Sequence, residues 1–215
     1  MGKEGQLSVL GGGDQNPDQD LAFRLAVAND KQAVEELAEQ LNHSEKESQR
    51  ACIRLLLEIG AINPELIAPW APVFLEFIKE SSNPLKSEGM KALALLVFEN
   101  PSFIYKSLPV ILDIAGKGSD KTRLETVNIL VQLCQIPVFS AASFTYLLDF
   151  LRESSVNQLP RYVERMREIL NEDNKGQVLE MLNKRLDEQE EDLKRKQIEH
   201  IIRKCSNTNS IKSDE

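Results

Sequence analysis

Apolar residues in this chain recur at steps of three and four over most of its length, the period of helices with one buried face rather than of strands. The pattern is clearest in three segments, Cys52 to Ile59, Gly89 to Leu96 and Thr126 to Leu133, which align on one another at a shift of 37 residues each time. Each is followed by a breaker: Asn63-Pro64, Asn100-Pro101 and then Ile136-Pro137, the last arriving one residue early. A second block repeats after each breaker, Val73 to Ile78, Val110 to Ala115 and Tyr146 to Leu151, with an acidic residue at Glu76, Asp113 and Asp149. Pro72 and Pro109 stand eight residues after Pro64 and Pro101. Proline inside a helix costs about 3 kcal/mol, so the early part of each block is expected to kink or to form a separate short turn.

Between the blocks, three places carry helix-start chemistry. Ser44 with Glu47 has capping-box spacing, Asn83-Pro84 offers an N-cap and a first-turn proline, and Asp120 can cap a helix opening at Lys121. Fainter copies flank the three units, from Leu21 to Leu41 upstream and from Tyr162 to Leu170 downstream. From Gly176 the pattern predicts one long polar helix, with Leu179, Leu182, Leu186 and Leu193 and then a shifted stripe of Ile198, Ile201 and Ile202. A helical hairpin of this size cannot bury its apolar face alone, so neighbours must stack and share a core. Leu56, Leu93, Leu130 and Met166 are the equivalent inner positions expected to form its spine. The rival is a non-repeating bundle, against which the regularly spaced breakers weigh.

Two stretches add a resemblance. Ala92 to Val97 and Ile129 to Cys134 resemble the ALxNLA pattern on the inner helix of armadillo repeats, and Leu108 to Asp113, with its proline, looks more like HEAT. The likeness covers roughly residues 20 to 175. It implies an all-α fold, a right-handed α-solenoid of about five ARM/HEAT-like helical hairpins. The corresponding division of the chain is a flexible arm over 1–18, a repeat domain over 19–182, a polar C-terminal helical extension over 183–206 and a disordered tail over 207–215. In armadillo proteins that hold extended peptides, the Asn of the pattern forms a ladder; its counterparts here are Glu58, Leu95 and Gln132, of which only Gln132 carries an amide.

Composition narrows the function classes. Hydrophobic residues make up 41% of the 215 positions and charged residues 28%, a balance that suits a folded, water-facing chain. With 6% aromatic residues and Trp70 the only tryptophan, the core must come from Leu, Ile, Val and Ala. The longest apolar run, Ala92 to Phe98, covers seven residues, against the roughly twenty of a membrane span. A net charge of −8 argues against nucleic acid as a partner, because phosphate contacts need concentrated Lys and Arg. Cys52, Cys134 and Cys205 are odd in number and far apart, which fits a reducing, cytoplasmic setting rather than a disulfide framework or a zinc site. No signal-peptide pattern opens the chain, and Gln6 stands where N-acylation wants Ser or Thr.

On an inner helix, the residues four before the ladder position share its face. The candidate partner-binding residues are therefore Arg54, Glu58, Lys91, Asn128, Gln132 and Glu164, basic toward one end and acidic toward the other. The competing reading is an ordinary solvated face. No catalytic constellation emerges: His43 and His200 lack a neighbouring nucleophile with an orienting acid, and Gly116-Lys117-Gly118-Ser119 misses the glycine and the Ser or Thr of a phosphate loop, reading instead as a turn that ends a helix. Neither a metal site nor a cofactor is expected. The function these observations predict is a non-enzymatic scaffold or adaptor that binds another protein through the concave face or the C-terminal helix. Two alternatives belong to other classes. One is a HEAT-fold nucleic-acid-binding protein or DNA glycosylase-like enzyme; the other is a module that self-associates through Ile198, Ile201 and Ile202 on the C-terminal helix.

Overall fold

The computed structural model describes residues 17–43 and 45–206, and among them every regular element is helical, with no strand. In chain order the helices are α1 (Pro17–Ala28), α2 (Lys31–His43), α3 (Lys46–Ile62), α4 (Pro64–Ile67), a 3-10 turn (Ala68–Trp70), α5 (Ala71–Glu80), α6 (Asn83–Leu95), α7 (Pro101–Gly116), α8 (Asp120–Cys134), α9 (Pro137–Glu153), α10 (Leu159–Met166), α11 (Glu172–Asp187) and α12 (Asp192–Ser206). The all-α class expected from the periodicity is therefore the one observed.

The helices pack as two rows. In the inner row α1 lies on α3, α3 on α6, α6 on α8, α8 on α10 and α10 on α12. In the outer row α2 packs on α5, α5 on α7 and α9 on α11, while Tyr105 of α7 stacks on Phe139 of α9 with ring centroids 4.7 Å apart. The rows meet where α2 packs on α3, α5 on α6, α7 on α8, α9 on α8 and α11 on α12. Leu56, Leu93, Leu130 and Met166 lie on four successive inner helices, and each has no exposed surface. They belong to one hydrophobic cluster that runs from Ala22 to Cys205. Full burial of a side chain of this size contributes about 1.5–3 kcal/mol, so the seam between the rows is the main source of stability.

A second device recurs along the stack. The last carbonyls of an outer helix have no partner within that helix, and a side chain from a neighbouring helix supplies a donor. Gln49 of α3 donates to the Leu41 carbonyl of α2 at 2.7 Å. Arg123 of α8 donates to Ala115 and Gly116 at the end of α7, at 3.2 and 2.7 Å. Arg195 of α12 does the same for Leu186 and Gln189 after α11, at 2.7 and 2.9 Å. The end of α9 is closed from α11 instead, where Arg185 donates to the Leu151 and Ser154 carbonyls, each at 2.7 Å. A cation at a helix C-terminus also meets the negative end of the helix dipole.

The helix starts differ from expectation by a residue. Ser44 of the expected capping box lies outside the described residues; α3 has Glu45 at its N-cap with no side-chain bond, and Glu47 faces Arg50 at 3.5 Å instead. Ser82, in an extended conformation, takes the N-cap position expected of Asn83, although its side chain makes no capping hydrogen bond. Ser119 rather than Asp120 caps α8, accepting from the Thr122 amide at 3.3 Å, and Asp120 instead accepts from the Gln158 amide. A serine with extended backbone just before the first helical residue satisfies the same geometry. The prolines act unequally: the first block breaks into α4, the 3-10 turn and α5, whereas α7 continues through Pro109. Gly116 ends α7, and Lys117 to Ser119 form the turn expected there.

The long polar helix expected from Gly176 is two helices. Within residues 187–192, five of the six positions are acidic, and in one continuous helix they would repel at spacings of three and four. The chain leaves the helix there, and Asp192 then sits in the first turn of α12, where a negative charge is favourable. Lys175 Nζ in α11 donates to the Ser206 carbonyl at the end of α12 at 2.8 Å, so the two helices run antiparallel. Ile198 is fully buried, Ile201 is 3% exposed, and Ile202 packs against the core cluster. The exposed isoleucine stripe required for self-association through this helix is therefore absent, because α12 uses it against α11 and α10. The division expected at residue 183 falls inside α11; residues 1–16 and 207–215 lie outside the described residues.

Candidate protein-binding face

The six candidate residues fall on four successive inner helices. Arg54 and Glu58 are on α3, Lys91 on α6, Asn128 and Gln132 on α8, and Glu164 on α10. Arg54, Lys91 and Glu164 are exposed; Glu58, Asn128 and Gln132 are half-buried. The three ladder positions, Glu58, Leu95 and Gln132, share the same partial burial although their chemistry differs, as equivalent positions in a regular stack should.

Half of the charged candidates on this face, Arg54 and Glu164, are already engaged within the chain. Arg54 Nε lies 4.0 Å from Glu88 Oε1, joining α3 to α6. Asn128 donates to Glu125 at 2.8 Å, and Arg167 donates to Glu164 at 3.1 Å. Gln135, just beyond α8, donates to Glu168 beyond α10 at 3.4 Å. The residues missed at the level of sequence are thus Glu88, Glu125 and Arg167. One-turn spacing from Asn128 and Glu164 was the available signal for Glu125 and Arg167, whereas Glu88 reaches Arg54 from the next helix. Exposed pairs of this kind contribute at most about 1 kcal/mol, so a partner's charges could displace them at small cost. Glu88 Oε2 is buried without a hydrogen-bond partner, which leaves this carboxylate only partly satisfied.

The repeated acids of the outer row have a simple explanation. Glu76, Asp113 and Asp149 are exposed, and each pairs with a cation one turn later: Lys79 on α5 at 2.6 Å, Lys117 just past the end of α7 at 2.7 Å and Arg152 on α9 at 2.6 Å. They support solvated helix faces and do not converge.

The nucleophile chemistry is subdued. All three cysteines are free and buried. Burial pushes the Cys134 thiol up to about 12 and raises Cys52 and Cys205, so these thiols stay protonated at neutral pH. Cys52 donates to Gln40 of α2 at 3.3 Å, a packing role between the two rows. Burial likewise holds the Tyr162 hydroxyl at about 12. His200 is exposed on α12. Among the described residues, no group of three or more His, Cys, Asp or Glu side chains is placed to hold a metal ion, and no helix is long and apolar enough to cross a membrane.

The chain matches no protein-family model, no curated protein and no solved structure. The functional reading therefore rests on the physical layout of the chain alone.

Proposed function

We propose that this chain is a cytoplasmic, non-enzymatic interaction scaffold that binds another protein along its inner row of helices. In this reading the fold is a right-handed α-solenoid of armadillo or HEAT type, with about five hairpins, of which α2 with α3, α4 and α5 with α6, α7 with α8, and α11 with α12 pack directly, while α9 packs on α8 and meets α10 through the rings of Phe150 and Tyr162. The two-row packing, the 37-residue shift and the equivalent burial of Leu56, Leu93 and Leu130 support it. One observation carries the assignment of the binding face: α3, α6, α8 and α10, packed in succession, present Arg54, Lys91, Asn128 and Glu164 at equivalent register and at least partly exposed. A row of polar side chains on a rigid scaffold is the surface that stacked-hairpin proteins offer to partners. A partner that extends along it would exchange the weak internal pairs Arg54–Glu88 and Glu164–Arg167 for its own charges.

The test is affinity capture from a native extract with the full chain and with a variant carrying Arg54→Glu and Lys91→Glu. The expected result is a specific bound protein that the variant loses while its circular dichroism stays unchanged. Equal capture by both would remove the inner row from consideration.

A further inference from the structure

A cavity of about 330 Å³ opens on the outer side of the first units, lined by Asn29, Lys31, Glu35, Glu65, Pro69 and Trp70, with the buried Leu66 behind them. Three separate elements build it. Glu35 comes from α2, Glu65 from the first turn of α4, and Trp70 closes the 3-10 turn that the proline-rich stretch forces between α4 and α5. Asn29, at φ 52°, adopts the left-handed conformation that turns the chain from α1 into α2 at the edge of the cavity.

The chemistry of this lining is selective. Among the described residues, neither Glu35 nor Glu65 has a hydrogen bond or ion pair, and both are exposed. Trp70 is half-buried, its body packed against the core cluster while it also lines the cavity. An indole beside two unpaired carboxylates from different helices is complementary to a planar cation. A guanidinium can stack on the aromatic ring and direct its fork of N–H donors at carboxylates. The surrounding charge has the matching sign, since α2 carries Glu35, Glu36 and Glu39 against Lys31 alone. Lys31 is the one cation in the cavity, one turn before Glu35, and competes with an incoming guanidinium.

We propose that this cavity is a docking site for an arginine side chain in a basic segment of another protein. It lies on α2, α4 and the 3-10 turn, outside the inner row, so its fate is independent of the face proposed above. A single side chain in an open cavity binds weakly, with a dissociation constant on the order of millimolar; the remainder of the affinity comes from the segment that carries it.

Trp70 is the only tryptophan in the chain, so its fluorescence reports on this cavity directly. The experiment titrates the full-length protein at constant ionic strength with N-acetyl-arginine amide and, in parallel, with the neutral, near-isosteric N-acetyl-citrulline amide. The expected result is a saturable change in Trp70 emission with the arginine compound that citrulline does not produce. Glu35→Gln and Glu65→Gln should each weaken it at least about three-fold, and Lys31→Ala should strengthen it about two-fold, with circular dichroism unchanged in all three. Three outcomes overturn the proposal: no saturable change, an equal response to citrulline amide, or an arginine response indifferent to both glutamates.

Discussion

At position 89 the repeat demands a small side chain, and the reason is the distance between the two rows. Cys52, Gly89 and Thr126 are equivalent at the 37-residue shift, and all three are buried. A Cβ added at Gly89 would stand 2.5 Å from Ile78 Cγ2 and 2.9 Å from Phe77 Cδ1, both on α5. Alanine is the better helix former by about 1 kcal/mol, but overpacking a closed core costs about 1–3 kcal/mol. Gly89→Ala should therefore lower the unfolding free energy, by about 1 kcal/mol in a urea titration; a gain in stability would show that α5 and α6 are less tightly opposed than described. The spine residues were legible in the sequence because one period fixed four buried positions at once. The caps at Ser82 and Ser119 were not, because asparagine, aspartate and serine neighbours compete for the same geometry and only the backbone decides which residue is extended.

Among the elements, α11 and α12 separate what a pattern shows from what it hides. The stripe of Ile198, Ile201 and Ile202 was visible, but its owner was not: an apolar stripe on a charged helix fits a partner chain and the helix's own neighbours equally well. The outcome is set by the break among the acidic residues 187–192 and by Arg195, which holds the end of α11 and turns the chain back. Ile201→Asp should accordingly act on folding rather than on assembly. The expected result is an unchanged sedimentation mass together with a loss of several kcal/mol of stability, since an unpaired charge would be placed in a site only 3% exposed. A change of mass with unaltered stability would return the stripe to an intermolecular role. The arginine and glutamine donors that close α2, α7, α9 and α11 were also hidden, because their acceptors are backbone carbonyls with no sequence signature.

For the whole molecule, the candidate face was legible in its positions and not in its state. The shift placed Arg54, Lys91, Asn128 and Glu164 on successive helices, but the pairs that occupy Arg54, Asn128 and Glu164 involve residues one turn or one helix away. Trp70 and its two carboxylates escaped for a related reason: they are brought together by the break between α4 and α5, and no linear motif joins residues 35, 65 and 70. Both proposed surfaces depend on helices that hold their relative positions chiefly through the shared seam. In such a stack each unit is stabilised by its neighbours, so a defect in one should spread to the next and fade with distance. The most direct measurement is native-state hydrogen exchange on Leu93→Ala, a truncation that costs about 2–5 kcal/mol at a fully buried site. Protection should fall most in α6, then in α3 and α8, and least in α12. Loss confined to α6, or equal loss in every helix, would contradict a core built by successive stacking.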